Sequence, residues 1–273
     1  MTTTATPTHE HGSGIRRLAA RRPATAFVTV VLSIGLPLLT LAAVINVPRE
    51  PFLLLTTYVG LTGAALVITR WLGGPGAIRE LLRRLLHWRF GTGRWLTIVL
   101  ALPALTLGVA AATGTIQTPP DGWAAEAGVY LLSVFVFGTL LLNAWEELGW
   151  TGFLQARLMR RHGLLVGALI TAVPFAALHL PLAFTSGWTW SSAGLAIAVV
   201  IVFAPFFRYL LGMLYLDSGG SLLAVSLMHA AFNAAGSLEA VRGDWQYIPA
   251  MIALTVAMAL WRRRHAIPTS TTK

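Results

Sequence analysis

The sequence predicts an all-α fold: a polytopic transmembrane helix bundle of about eight spans, with one amphipathic helix lying in the membrane interface. Three observations carry that expectation. Of 273 residues, 56% are hydrophobic and only 11% charged, against roughly 45–50% and about 25% in a soluble domain, and the mean hydropathy is +0.70. The apolar residues gather in runs near the ~20 needed to cross hydrocarbon as a helix. Arginines recur in alternate loops between those runs, as the preference for basic residues on the cytoplasmic face requires. A water-soluble globule is excluded. So is a disordered chain, because 12 Phe and 10 Trp do not belong to a sequence too polar to collapse.

Along the chain, residues 1–23 read as a disordered cytoplasmic tail ending in Arg16, Arg17, Arg21 and Arg22. The first apolar run, 24–47, exceeds the 7–15 residues of a signal-peptide core and reads as an uncleaved span. The remaining spans are expected at 52–67, 95–116, 127–148, 164–184, 193–216, 221–235 and 248–261, so that 24–262 forms a single transmembrane domain and 263–273 a cytoplasmic tail. Between spans two and three, Ile78, Leu81, Leu82, Leu85 and Leu86 alternate at helical spacing with Arg79, Glu80, Arg83 and Arg84. That pattern predicts a basic amphipathic helix over 77–90 lying in the interface.

Loop charges orient the bundle. Arg70, Arg79, Arg83, Arg84, Arg89 and Arg94 follow span two; Arg157, Arg160 and Arg161 follow span four; Arg262, Arg263 and Arg264 follow span eight. The opposite loops carry Arg49 with Glu50, then Asp121 with Glu126, then no charge over 185–192, then Glu239, Arg242 and Asp244. A nearly neutral loop around Asp217 is the exception. Both termini are therefore expected in the cytoplasm, with the protein in the plasma membrane. The net charge of +10 suits anionic lipid head groups rather than nucleic acid. With no cysteine, disulfides, thiol nucleophiles and cysteine-based zinc sites are impossible. No internal repeat supports an inverted-repeat transporter.

Polar residues inside spans are costly, and each is a functional candidate. They are Asn143, Glu146 and Glu147 in the inner part of span four, His179 in span five, Arg208 in span six, and His229 and Asn233 in span seven. His229 and Asn233 are i,i+4 neighbours on one face, as are Phe175 and His179. Glu146 and Glu147 are about 100° apart on a helix and cannot serve one target equally, so one is expected to do chemistry and the other to support it. Asn143 reads as a helix-packing hydrogen bonder. Trp145, Trp150, Trp188 and Trp190 read as interface anchors, and Pro174 and Pro181 as kinks that open span five around His179.

Depth is harder to reconcile. His179 lies about 22 Å from residue 164 at 1.5 Å per residue, deeper than Glu146 or His229. Either span five starts late, after an interfacial helix near 153–167, or the two prolines distort the count.

Glu146-Glu147 with Gly149-Trp150 and Gly152-Phe153-Leu154, then Phe175-Ala176-Ala177-Leu178-His179, then Gly219-Gly220-Ser221-Leu222-Leu223 leading to His229-Ala230-Ala231-Phe232-Asn233, together resemble the CPBP family of intramembrane glutamic endopeptidases. These are the CAAX-processing, Abi or type II CAAX prenyl endopeptidases. The resemblance spans 127–235, the core of the protease-like motifs. It implies an intramembrane endopeptidase that hydrolyses a peptide bond near the cytoplasmic membrane face. Glu146 would be the general base on water, His179 would hold or polarise that water, and His229 and Asn233 would stabilise the oxyanion.

The resemblance implies a peptide or membrane-protein substrate in the lipid bilayer and no resident cofactor. A zinc-dependent variant, with Glu146, His179 and His229 as ligands, is the less favoured form. The family pattern E-E-x-x-x-R is met only in part, since Thr151 stands where Arg is usual. Arg208 is the candidate substitute, because Glu147 lacks its counter-charge and a lone intramembrane Arg needs a partner. Thr151 also keeps open a non-catalytic immunity or scaffold protein on the same fold, or a proton- or ion-coupled transporter. No H-E-x-x-H occurs and the three Asp fall in loops, which sets aside other membrane proteases. Oligomeric state is not legible in the sequence.

Overall fold

In the computed structural model, described for residues 14–184, 187–243 and 245–265, the chain is a polytopic bundle of α-helices. Nine helices follow one another among the described residues. They are α1 (Gly14–Arg21), α2 (Pro23–Val44), α3 (Glu50–Leu86), α4 (Thr92–Ala112), α5 (Trp123–His162), α6 (Leu164–Ala183), α7 (Trp190–Asp217), α8 (Leu222–Ala235) and α9 (Tyr247–His265). Six of these, α2 to α7, are long and apolar enough to cross a membrane. This is a multi-pass membrane protein. The expected disorder of 1–23 is corrected for Gly14–Arg21, which is helical; residues 1–13 and 266–273 lie outside the described residues. The C-terminal tail expected from 263 begins later, because α9 carries Arg262, Arg263, Arg264 and His265 in its last turn.

Two expected elements merge. The second span and the amphipathic helix are one helix, α3, bent where Gly74 takes φ +69°. Only glycine holds that conformation cheaply, and Pro75 restarts the helix with no N–H to satisfy. Beyond the bend, Leu81 is buried while Arg79, Glu80 and Arg83 are exposed, as the sequence pattern requires. The helix stops at Leu86, short of the expected residue 90.

Span four is the larger correction. Helix α5 does not end near 148 but runs 40 residues to His162, where Gly163 at φ +81° turns the chain directly into α6. No separate interfacial helix occupies 153–167. Glu146 therefore lies 16 residues, about 24 Å, from the arginine-bearing end of its helix. That matches the depth of His179 on antiparallel α6, and the depth conflict disappears.

Helix α8 is the axis of the fold. At 14 residues it is too short to span hydrocarbon alone, and all of it but Leu223 and Asn233 is buried. A helix apolar all round belongs inside a bundle, and α8 packs on α4, α5 and α7. Ser221 caps it, accepting from the Ala224 N–H at 3.0 Å and donating to the His87 carbonyl at 2.6 Å. Small residues let helices close on this axis: a Cβ on Gly138 would meet Ala230 at 2.6 Å, and one on Gly152 would meet Leu222 at 2.8 Å. The neutral loop at Asp217 has a physical explanation, since Asp217 pairs with Arg262 of α9. Trp150 is corrected from an interface anchor to a core residue. It is fully buried, edge-on to Phe27 and Phe175, whereas Trp188 and Trp190 are exposed.

Candidate active site

One turn of regular α-helix, Ala144–Glu147, carries the two carboxylates. Wide π turns flank it on both sides, over Ser133–Asn143 and Leu148–Gln155. Such turns are rare and recur at functional sites. On the second stretch Thr151 and Gln155 continue the face of Glu147, and all three side chains turn toward α7.

There Arg208 meets them. Its guanidinium binds Glu147 bidentately, Nη1 to Oε1 at 2.9 Å and Nη2 to Oε2 at 3.2 Å. Nη2 also donates to Thr151 Oγ1 at 2.7 Å and to Gln155 Oε1 at 2.5 Å, and Nε donates to Gln155 Oε1 at 2.9 Å. Gln155 returns a bond from Nε2 to the Arg208 carbonyl at 2.7 Å. Glu147 and Arg208 are both fully buried. The arginine missing at position 151 is thus replaced in space by Arg208, with the Thr151 hydroxyl bonded to both members of the pair. Gly212, one turn along α7, leaves room for the Gln155 amide, which a Cβ there would meet at 2.6 Å.

His229 joins the two carboxylates. Its Nδ1–H donates to Glu147 Oε1 at 2.9 Å, while Nε2 faces Glu146 Oε2 at 3.8 Å. An ionised carboxylate only accepts, so the Glu147 bond fixes the proton on Nδ1 and turns Nε2 toward Glu146. The two glutamates therefore meet one histidine unequally, as their angular separation demands.

Glu146 has a different environment. It is 9% exposed and, among the described residues, has no cationic side chain of Arg or Lys against it and accepts only long bonds, from Thr57 at 3.3 Å and Asn143 at 3.4 Å. His179 donates Nδ1–H to the Phe175 carbonyl at 2.7 Å, leaving Nε2 as an acceptor, and Glu146 and His229 are among the groups that act on it electrostatically. The Phe175 ring lies between the two histidines, 4.3 Å from His179 and 6.5 Å from His229. Asn233 is exposed and donates to Asn143 Oδ1 at 3.4 Å.

All seven polar residues singled out in the sequence converge here. Asn143 is more than a packing residue, because it links Glu146 to Asn233. Thr57 and Gln155 were not anticipated. Gln155 had a signal, being i+4 from Thr151 and i+8 from Glu147 on a single face; Thr57 had none, since a threonine in a span usually bonds its own helix.

Exposure rises in one direction across the cluster. Glu147, Arg208, Thr151 and Gln155 are sealed, Glu146 and His229 are barely reached, and Asn233 is open. Asn233 lies two residues from the end of α8, and His179 four residues, about 6 Å, from the end of α6. Those ends are opposite the arginine-rich loops. Arg208, by contrast, lies nine residues, about 14 Å, from Asp217 at the arginine-bearing end of α7, so the cluster occupies the middle of the bundle.

Among the described residues no group of three His, Asp or Glu side chains gathers to hold a metal ion. In the set Glu146, His179 and His229 each histidine commits Nδ1, to the Phe175 carbonyl and to Glu147, which leaves Nε2 as the nitrogen that could coordinate. A family model described as type II CAAX prenyl endopeptidase Rce1-like matches residues 127–235. That stretch belongs to the CAAX prenyl endopeptidase family. The matched stretch contains every residue of the cluster except Thr57, which α3 contributes from outside it. No curated protein matches the chain.

Proposed function

We propose that the protein is an intramembrane endopeptidase in which Glu146 activates the hydrolytic water. The observation that carries this reading is the contrast between adjacent carboxylates, one bound on every side and one left open next to a histidine nitrogen. A glutamate whose oxygens make only long neutral bonds keeps lone pairs for a substrate water. Glu146 takes a proton from that water as its oxygen attacks the peptide carbonyl, and His179 Nε2 accepts from the same water and orients it. The negative oxygen of the tetrahedral intermediate is met by hydrogen-bond donors beside Glu146, the exposed Asn233 amide being the most accessible. The proton held by Glu146 passes to the leaving amine, which restores the carboxylate. Glu147 and Arg208 take no part in proton transfer; they hold His229.

No metal is needed for this scheme. The protein sits in the plasma membrane with its arginine-rich end and both termini in the cytoplasm, and the peptide reaches Glu146 from the other end, past Asn233. Thr151 favours a non-catalytic or transporting protein on the same fold; the Arg208 pair, which restores the counter-charge of Glu147, supports the enzymatic reading. The test is cleavage of a peptide library by purified protein. Glu146→Gln should lower kcat by about 10²–10⁴ with an unchanged melting temperature. Full activity in Glu146→Gln, or loss of activity on chelation together with about one zinc per chain, would overturn the scheme.

A further inference from the structure

At the arginine-rich end, a cavity of about 650 Å³ lies between the α1–α2 junction and the last turns of α5. Arg21, Arg22, Arg157, Arg160, Arg161 and His162 line it, and no carboxylate does. Elsewhere the arginines near acids are paired: Arg83 and Arg84 with Glu80, Arg262 with Asp217, Arg208 with Glu147. Around this cavity, Arg21, Arg22, Arg160 and Arg161 make no ion pair among the described residues. Arg157 is held in place by a 2.6 Å bond to the Phe153 carbonyl and by the Phe153 ring, 3.8 Å from its guanidinium carbon. Five guanidinium groups brought together without a counter-charge repel one another, so an anion bound among them relieves that repulsion.

A second cavity, of about 720 Å³, adjoins it and shares Arg160. Arg83, Arg84, His87 and the Tyr215 hydroxyl line its polar side, with Glu80 its one acid. Arg84 donates to Tyr215 Oη, which fixes its guanidinium at the rim. Leu158, Pro23 and Ala24 in the first cavity and Leu86 and Leu216 in the second place apolar surface beside the charges. The first cavity opens where the apolar run of α2 begins, at the boundary between head groups and hydrocarbon. Basic pockets between helices at this level bind phosphate-bearing head groups.

We propose that the paired cavities bind the head group of a lipid with two phosphates, a diphosphatidylglycerol of the cardiolipin class. One phosphate lies in each cavity, Arg160 touches both, and the acyl chains follow the apolar rims into the bilayer. A lipid with a single phosphate fills only one cavity. A soluble polyphosphate offers the same charge but gains nothing from the apolar rims. The assignment is independent of the hydrolase reading, because no residue of the Glu146 cluster lines either cavity.

The experiment is binding by native mass spectrometry and thermal shift on the full-length protein in detergent, with cardiolipin, phosphatidylglycerol and inorganic pyrophosphate as probes. Cardiolipin should bind at about one per chain and raise the melting temperature, with phosphatidylglycerol at least tenfold weaker and pyrophosphate without effect. Arg160→Gln should weaken cardiolipin binding by about fivefold, the worth of one arginine near a lipid surface. Arg21→Gln, on a different helix, should do the same. Arg263→Gln, at the same end but outside both cavities, should leave binding unchanged. Equal binding of the two lipids, or an Arg263→Gln effect as large as that of Arg160→Gln, would reduce the site to general surface charge and overturn the proposal. Binding of pyrophosphate as tight as that of cardiolipin would also overturn it, in favour of a soluble polyphosphate ligand. The wild-type lipid comparison decides even where a variant fails to fold.

Discussion

Glu146 and Glu147 are neighbours in one helical turn, yet they occupy two chemically different regions. Around Glu147 every acceptor site is used, by Arg208, His229 and Thr151, and the side chain is fully buried. Around Glu146 the bonds are long, the partners neutral, and the nearby Asn233 is exposed. The difference teaches that a pair of carboxylates need not share one function. A rotation of about 100° sends one into a sealed ion-pair network and leaves the other free for chemistry, with the His229 ring coupling the two.

The sealed side offers the largest effect. Arg208→Ala leaves Glu147 buried without its cation, and breaking one partner of a buried pair typically costs about 3–5 kcal/mol. A fall of that size in the unfolding free energy, read as a lowered melting temperature in detergent, is the expected outcome. Adding Thr151→Arg to Arg208→Ala should recover much of it, since position 151 already touches Glu147 and an arginine there restores the counter-charge. Arg208→Ala with wild-type stability, or a double variant no better than the single one, would show that the two regions are less distinct than their contacts imply.

Access distinguishes them next. The chain has no cysteine, so single-cysteine variants report cleanly. In intact cells Asn233→Cys should react with an external, membrane-impermeant maleimide, while Arg161→Cys should react only after permeabilisation. Asn233→Cys reacting only from inside would reverse the direction of approach to Glu146; no reaction from either side would make the opening face lipid.

The smallest effect lies on the open side. Thr57→Val removes one long hydrogen bond to Glu146, and interhelical bonds of this kind average about 0.6 kcal/mol in membranes. A melting temperature nearly unchanged, with kcat lowered a few-fold through a less well-held carboxylate, is the expected result. A large loss of stability would mean that Glu146 is also structural.

The sequence by itself determined the class of fold, because burial of so many apolar residues has no solution in water and alternating arginines fix which loops share a face. It also determined the cluster, since each ionisable group inside a span is costly enough to need a partner, and the few present had to find one another. The pairing of Arg208 with Glu147 was legible for that reason, from two unmet charges alone. Tertiary structure decided what depends on length and depth. Helix α5 reads as ending near 148 because Gly149, Thr151 and Gln155 weaken the apolar signal, but Gly149 packs against α2 and α3 and the Thr151 and Gln155 side chains are buried against α7, where hydropathy no longer selects against them. Extending that helix by 14 residues moved Glu146 away from the arginine-rich end and level with His179. Thr57 joined the site only because α3 packs beside α5, a contact between residues 89 apart that no local pattern encodes.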